Sequence, residues 1–212
     1  MSNDKFSSML DDTIAAIATS LGEGGLAVIR ISGPQAFAVA DRCFAPAGTA
    51  SLKPSAAGTH TIHYGHVVRG GQNIDEVLLA VMRAPRTFTC EDVVEITCHG
   101  GILPAKMVLD AVLESGARLA EPGEFTRRAF LNGRIDLTQA EAVADLIHSR
   151  TELALRAANE QLAGKLSQRI NQLFDVSWVV LSVAVHQHNQ LAGSGAHAGI
   201  HRGALPAVLS QP

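Results

Sequence analysis

The segment 121–137, EPGEFTRRAFLNGRIDL, is unusually rich in side chains that could take part in binding. It contains Arg127, Arg128 and Arg134 among carboxylates and two phenylalanines, whereas only 17% of the whole chain is charged. A guanidinium group donates hydrogen bonds in a planar fork that matches carboxylate and carbonyl acceptors. Arg127 and Arg128 are interpreted as part of a solvated helix face. Whether Arg134 belongs to a binding site depends on the strands and helices that surround this segment.

Cysteine and histidine form no disulfide or metal-site pattern in the sequence. The three cysteines, Cys43, Cys90 and Cys98, lack CxxC spacing, so we expect reduced thiols as in a cytosolic protein. Cys98 and His99 are adjacent, and neighbouring residues of a strand point to opposite faces, which argues against a shared metal ion. No metal is expected at the histidines of the Gly-rich C-terminal segment either, namely His186, His188, His197 and His201.

Composition and charge exclude several classes of protein. Hydrophobic residues make up 47% of the 212, which is typical of a globular protein with one or two domains. The formal net charge is −3 and aromatic residues amount to 4%, so a broad basic or stacking surface for nucleic acid is not expected. No apolar run approaches the ~18 residues that span a bilayer, and the N-terminus lacks a signal-peptide pattern. We therefore expect a cytoplasmic protein without membrane contact.

The patterns up to residue 120 predict an α+β domain. Strands are predicted at 12–18, 26–32, 60–68, 75–83, 93–98 and 117–120. A helix is expected after a Ser32–Gln35 capping box, and a second one from residue 102 to Gly116. Residues 45–58 are small and turn-rich and are predicted to form a loop. The irregular alternation of strands and helices, with hairpins between them, favours α+β over a doubly wound parallel sheet.

A helical period begins at Thr138. Thr138 and Glu141 have capping-box spacing, and apolar residues then recur at helical intervals as far as Leu173. This predicts one helix of about ten turns whose apolar stripe needs other helices to cover it. The chain is thus divided into three parts: an α+β domain 1–120, a connector and the start of a helical domain 121–174, and an atypical tail 175–212.

Four ordered stretches carry a family resemblance. They are DTIAAIAT (12–19), GEGGLAVIRISG (22–33), MRAPRTFTCEDVVEITCHGG (82–101) and EPGEFTRRAFLNGRIDLTQAEAVADLIHSRTE (121–152). Together they resemble the N-terminal part of the MnmE (TrmE) family of tRNA modification GTPases, over about residues 12 to 173. The resemblance implies a folate-binding α+β domain that mediates homodimerisation, similar to part of the aminomethyltransferase of glycine cleavage. It also implies a helical domain with an inserted GTPase domain, and joint action with the FAD-dependent protein MnmG on wobble uridine 34 of tRNA.

The resemblance also implies a 5-formyltetrahydrofolate site formed by Arg30, Glu95 and Arg134, with no catalytic residue. One carboxylate can accept both the ring N–H and the amino group of a pterin, and arginine can bind folate carboxylates and ring carbonyls. A short helix over about 124–131 and an Asn132-Gly133 turn would return Arg134 toward the sheet. Arg30 and Glu95 could instead be ordinary surface residues or an ion pair.

The chain departs from the family pattern in several places. Cys90 stands where the family usually has glycine in FTGED, and a positive φ there would strain a cysteine. Ser20 replaces a proline, and HGGIL replaces HGGP. No GxxxxGK[ST] loop occurs in the sequence, so we expect neither guanine-nucleotide binding nor GTPase activity. A frameshift, a premature end or an appended unrelated segment would each produce such a truncated MnmE-like chain.

Two other functions stay open at this point. A self-contained folate-dependent one-carbon transferase would need an acid or base near the folate, and His99 is the nearby candidate, with no residue expected to orient it. A vestigial interaction fragment would keep the site residues but fold poorly in its helical region.

Overall fold

The computed structural model of the chain describes residues 12–48 and 52–170, and these residues build one seven-stranded sheet. The strands are β1 Ile14–Ile17, β2 Leu26–Ser32, β3 Phe44–Pro46, β4 Thr61–Arg69, β5 Gln72–Met82, β6 Val93–His99 and β7 Arg118–Leu119. Their order is β3-β4-β5-β6-β2-β1-β7, and all neighbours are antiparallel except β1 and β7. The predicted α+β class is confirmed.

Five helices lie between residues 12 and 163 of the described part: α1 Ala36–Cys43, α2 Ile102–Glu114, α3 Glu124–Leu131, α4 Leu137–His148 and α5 Glu152–Leu162. A short 3₁₀ turn covers Pro54–Ala56. Helices α1 and α2 pack on one face of the sheet, where alternate strand residues such as Ile29 and Ile96 are fully buried. Val39 and Val108 from the two helices belong to the same core. The core therefore lies between the sheet and α1 with α2, because strand side chains alternate between faces.

The opposite face of the sheet, called the open face below, carries exposed apolar side chains. Leu26, Ile62, Tyr64 and Leu78 are between 47% and 70% exposed. Tyr64 pairs with Leu78 across β4 and β5, so these two side chains leave the sheet on the same side. An apolar surface of this kind on a sheet face is a candidate for contact with another molecule.

All six predicted strands occur, and a seventh strand, β3, was missed. It overlaps the segment 45–58 that was predicted to form a loop, and it pairs with β4 from Phe44 to Pro46. Proline weakens a strand prediction because it has no N–H to donate. It is tolerated here because β3 lies at the edge of the sheet, where one side of the backbone needs no partner.

Both predicted capping boxes are wrong. Ser32 does not cap α1, because it is the last residue of β2 and its hydroxyl donates to Glu91 Oε2 at 2.7 Å. In α4 the capping box is formed by Asp136 and Gln139 instead of Thr138 and Glu141. The Asp136 carboxylate accepts the Gln139 backbone N–H at 2.8 Å, which satisfies a donor of the first turn.

The single long helix predicted over 138–173 is also wrong, because the chain leaves the helix at 149–151. Ser149 is extended, with ψ 129°. Thr151 then caps α5, and its hydroxyl accepts a hydrogen bond from the Ala154 N–H at 3.2 Å. Apolar residues keep a helical period on both sides of this break, so periodicity alone does not detect it.

Helices α4 and α5 form an antiparallel hairpin that is closed by side-chain hydrogen bonds. Gln139 Nε2 donates to the carbonyl of Leu162, and Gln161 Nε2 donates to the carbonyl of Thr138, each at 2.8 Å. These bonds place the first turn of α4 beside the last turn of α5. Each helix thus covers part of the other's apolar stripe.

The chain divides into two compact units between Ala163 and Gly164. In the second unit, residues 165–170 are helical, and the predicted tail 175–212 lies outside the described residues. Within 12–48 and 52–170, no helix has both the length and the apolar character needed to cross a membrane.

Candidate functional site

Arg30 and Glu95 form an ion pair on the open face, from the neighbouring strands β2 and β6. The strand register pairs the two residues directly, so their side chains leave the sheet side by side. Nε and Nη2 of Arg30 each lie 2.7 Å from Glu95 Oε1, and the two side chains are 30% and 28% exposed. No donor from the described residues bonds to Glu95 Oε2. The pair is accessible from solvent, and one carboxylate oxygen is available to a ligand.

Arg134 reaches the same region from the turn that follows α3. Gly133 adopts a φ of +72°, a conformation that glycine tolerates without strain. Asn132 Nδ2 donates to the carbonyl of Thr89 at 2.6 Å, and Arg134 Nη1 donates to the carbonyl of Thr87 at 2.7 Å. Both bonds hold the turn against the loop between β5 and β6, the 83–92 loop. The predicted short helix and the turn after it are confirmed.

Two phenylalanines that the sequence analysis did not select complete the cluster. The guanidinium carbon of Arg134 lies 5.2 Å from the ring centroid of Phe88, and that of Arg30 lies 5.9 Å from it. Arg30 also lies 5.7 Å from the centroid of Phe125. The structure therefore brings Arg30, Glu95 and Arg134 together around Phe88. The sequence signal that could have identified these two residues is an aromatic residue close to arginine in a turn-rich segment, as in RTFT for Phe88 and GEFTRR for Phe125.

A cavity of about 490 Å³ is lined by Phe88 and Arg134 and continues into the 83–92 loop. Its other lining residues are Met82, Pro85, Arg86, Thr87 and Cys90. Its size lies within the ~300–1,000 Å³ that is usual for small-molecule sites. Of the described residues that line it, two are arginines and none is acidic. The cavity is therefore suited to the anionic part of a ligand.

Comparison with protein families identifies the two parts of the chain. Residues 13–134 match the family described as GTP-binding protein TrmE N-terminus, and residues 137–181 match the MnmE helical domain. The chain belongs to the MnmE (TrmE) family. The resemblance seen in the sequence is confirmed, and the match continues beyond residue 173, where the sequence analysis had placed its end.

Curated relatives of the chain carry the name tRNA modification GTPase MnmE. The Geobacillus kaustophilus protein is 56% identical over 164 residues, covering 76% of this chain and 35% of the relative. The Lachnoclostridium phytofermentans protein is 50% identical over 190 residues, covering 87% of this chain and 41% of the relative. The Listeria welshimeri protein is 58% identical over 162 residues, covering 76% and 35%. The chain thus spans about two fifths or less of the length of these MnmE proteins.

Arg128 belongs to a buried ion cluster, so its assignment to a solvated helix face is wrong. Its side chain is 1% exposed and forms an ion pair with Asp12. Nη2 lies 3.1 Å from Glu124 Oε1, and Nη1 lies 3.2 Å from Glu91 Oε1. Arg127 is the residue on the exposed side of α3, with 40% of its side chain exposed. Adjacent arginines in a helix look alike in sequence, and only the packing of α3 against β1 and the 83–92 loop separates them.

Two carboxylates of this cluster are held in their ionised form. Burial raises the pKa of Glu124, but hydrogen bonds from Arg118, the Glu121 backbone N–H and Arg128 outweigh it and bring the pKa to about 2. Burial also raises the pKa of Asp12, and hydrogen bonds from the same two arginines reverse this effect and lower it. The cluster therefore joins α3, Asp12 just before β1, and the 83–92 loop through ion pairs.

Cys90 has a left-handed backbone conformation, with φ +57°. The positive φ considered at this position, where the MnmE pattern has glycine, is confirmed. A side chain in this region costs roughly 1–2 kcal/mol, because Cβ approaches the following carbonyl oxygen. Cys90 also lines the 490 Å³ cavity, so this departure from the family lies directly beside the candidate site.

His99 is oriented by Asp75, although the sequence analysis expected no orienting residue. Asp75 Oδ1 lies 2.7 Å from His99 Nδ1, and Asp75 Oδ2 accepts the His99 backbone N–H at 2.8 Å. The hydrogen bond to Asp75 raises the pKa of His99. His99 lies four residues beyond Glu95 on β6, which is about 13 Å at the rise of a strand. This distance is too long for direct proton transfer to a group bound at Glu95.

Proposed function

We propose that this chain is the folate-binding part of an MnmE-like protein and binds 5-formyltetrahydrofolate or a related tetrahydrofolate. The observation that carries the proposal is the convergence of Arg30, Glu95 and Arg134 around Phe88 on the open face. A reduced folate supplies a one-carbon unit, whereas these side chains bind and orient it. No catalytic residue is assigned to the cluster.

The chemistry of the cluster fits a pterin ring. A pterin presents a ring N–H beside an amino group, and a carboxylate such as Glu95 can accept both in a fork. The ion pair with Arg30 limits the rotation of the Glu95 carboxylate. Phe88 offers an aromatic surface, and Arg134 offers donors for carbonyl or carboxylate oxygens.

The wider proposal places the chain in the modification of wobble uridine 34 of tRNA in the cytoplasm, together with an MnmG-type FAD protein. Its support is the name of the relatives and the family match over 13–134. The sequence contains no phosphate-binding loop, so GTP hydrolysis is not assigned to these residues. The likeness of the sheet domain to the aminomethyltransferase of glycine cleavage belongs to the same proposal.

Homodimerisation through the α+β domain is a further part of this proposal. The open face offers four exposed apolar residues, Leu26, Ile62, Tyr64 and Leu78. A second copy that covers this surface would remove it from water, which favours association.

Calorimetric titration with 5-formyltetrahydrofolate tests the folate site. We expect one saturable site for each chain, with binding weakened strongly in Glu95→Gln, because an amide nitrogen would place a donor against the donors of the pterin. Lys106→Gln is the control, since Lys106 is exposed on α2 and α2 packs on the opposite face of the sheet. No detectable binding by a folded protein, or equal binding by Glu95→Gln, would exclude the site.

A self-contained one-carbon transferase is the second candidate. The orientation of His99 by Asp75 favours it, whereas the distance of about 13 Å between His99 and Glu95 argues against it. A turnover assay with methylene-tetrahydrofolate separates the two functions. If the wild-type chain releases the one-carbon unit and the His99→Ala variant does not, the transferase function is established. Folate binding without turnover would exclude the transferase and support the folate-binding function.

A further inference from the structure

Arg86 lines the cavity of about 490 Å³ that adjoins the candidate folate site. It is exposed, and no described residue forms a hydrogen bond or an ion pair with it. The two acidic residues of the 83–92 loop are engaged elsewhere. Glu91 binds Ser32 and Arg128, and Asp92 accepts the Ala84 backbone N–H at 3.0 Å. The positive charge of Arg86 is therefore not neutralised within the loop.

The cavity and the proposed ring site are continuous through shared side chains. Phe88 and Arg134 belong to both, and Met82 lines the cavity from β5. Met82 pairs with Val93, two residues before Glu95 on β6, so it is a diagonal neighbour of Glu95 at about 7–8 Å. A ligand whose ring is bound at Glu95 can thus extend past Phe88 into the cavity.

The donors in the cavity are arranged for more than one carboxylate. Arg134 uses only Nη1 for the carbonyl of Thr87, which leaves its other N–H groups without a bond to a described residue. Arg86 adds a second guanidinium, and the described residues of the lining include no carboxylate. Arginine binds carboxylates in a two-bond fork, so this pair matches a chain of carboxylates better than a single one.

We propose that this cavity binds the poly-γ-glutamate tail of a folate. In this assignment, which rests on the proposed folate site, Arg134 binds the carboxylate of the first glutamate and Arg86 binds those of added glutamates. Each added γ-glutamyl residue brings one further α-carboxylate. The affinity of the chain for folate therefore depends on tail length, and Arg86 is the residue that determines this dependence.

Calorimetry with 5-formyltetrahydrofolate as the monoglutamate and as the tri-γ-glutamate tests the assignment. For the wild-type chain we expect the triglutamate to bind about five- to tenfold more tightly, with a smaller ratio at high salt, because the Arg86 contact is exposed. Arg86→Gln should weaken the binding of the triglutamate more than that of the monoglutamate and so bring the ratio close to one. The control Lys106→Gln should keep the wild-type ratio. Arg86 has no protein partner among the described residues, so its replacement should not alter the thermal midpoint.

The failures of the two proposals are distinguishable. Equal affinity for both forms in the wild-type chain, or an unchanged ratio in Arg86→Gln, overturns the tail site while the folate site stands. No binding of either form overturns both. The Arg86-dependent binding of an RNA oligonucleotide, without any dependence on tail length, would assign the cavity to a phosphate backbone and overturn the tail site.

Discussion

Arg128 Nη1 lies 3.2 Å from Glu91 Oε1, and this ion pair joins helix α3 to the loop that carries Phe88. Ser32, at the end of β2, donates to the other oxygen of Glu91 at 2.7 Å. Strand β2, the 83–92 loop and α3 are thus connected through one carboxylate. The site residues come from these three regions, from the neighbouring strand β6 and from the turn after α3, so the buried pair positions the site without contacting a ligand.

Replacement of Arg128 by methionine should lower the free energy of unfolding by about 3–5 kcal/mol, because it leaves Glu91 without its arginine and removes one of the two arginines that bond the buried Glu124. Arg127→Met is the matched control from the exposed side of α3 and should cost no more than about 1 kcal/mol. Urea denaturation at pH 7, followed by circular dichroism, measures both. Similar values for the two variants would show that the cluster does not stabilise the fold.

The stabilising effect of Glu124 should disappear in acid. Its pKa is about 2 in the folded chain and 4.5 as the ordinary value, so its contribution is complete above pH 4.5 and is lost as the pH falls toward 2. The stability difference between the wild-type chain and Glu124→Gln should therefore shrink across this window. Urea midpoints at pH 7, 4.5 and 3 measure it, and a constant difference would contradict the assignment.

Arg134→Ala should weaken 5-formyltetrahydrofolate binding by roughly 10- to 150-fold, since a charge-assisted hydrogen bond contributes about 1.5–3 kcal/mol. Glu95→Ala should cost at least as much, because it leaves two pterin donors unpaired. Arg127→Ala remains a suitable control and should change the affinity less than about threefold. Arg128 cannot serve as a control, because it is buried. Equal losses at Arg134, Glu95 and Arg127 would indicate a general electrostatic surface.

Cys90→Gly should leave the stability unchanged or raise it by up to about 1 kcal/mol. Glycine relieves the strain of φ +57° but adds entropy to the unfolded chain. Cys90→Val should destabilise by about 1–2 kcal/mol, since a β-branched side chain is disfavoured at positive φ. Thermal and urea denaturation of the three proteins test this order. A valine variant as stable as the glycine variant would show that the loop relaxes.

The chain should be a dimer in light scattering at tens of micromolar, and Leu78→Glu should shift it toward the monomer by placing a charge on the open face. Leu153→Glu is the control, because Leu153 is 80% exposed on α5 and not on the sheet. A monomeric wild-type chain, or the same effect from both variants, would exclude the open face as the interface.

Six of the seven strands were predictable because each has its own local signal, whereas β3 was missed. Alternation in residues 26–32 and 93–98 was sufficient to predict β2 and β6, and family motifs were sufficient to select Arg30 and Glu95. The break between α4 and α5 was not predictable from the apolar pattern, since it depends on the capping by Thr151 and on hydrogen bonds between distant helix ends. The pairing of Gln139 with Leu162 has no local signature.

The sequence by itself determined six of the seven strands, the short helix 124–131 and the family, and it selected the side chains that are proposed to bind folate. Only the tertiary structure decided that Arg128 is buried while Arg127 is exposed, that Arg30 and Arg134 both lie within about 6 Å of the Phe88 ring, and that Arg86 has no described partner. The reason is physical. Secondary structure follows from interactions between near neighbours in the chain, whereas the burial and charge environment of a side chain depend on segments far away in sequence.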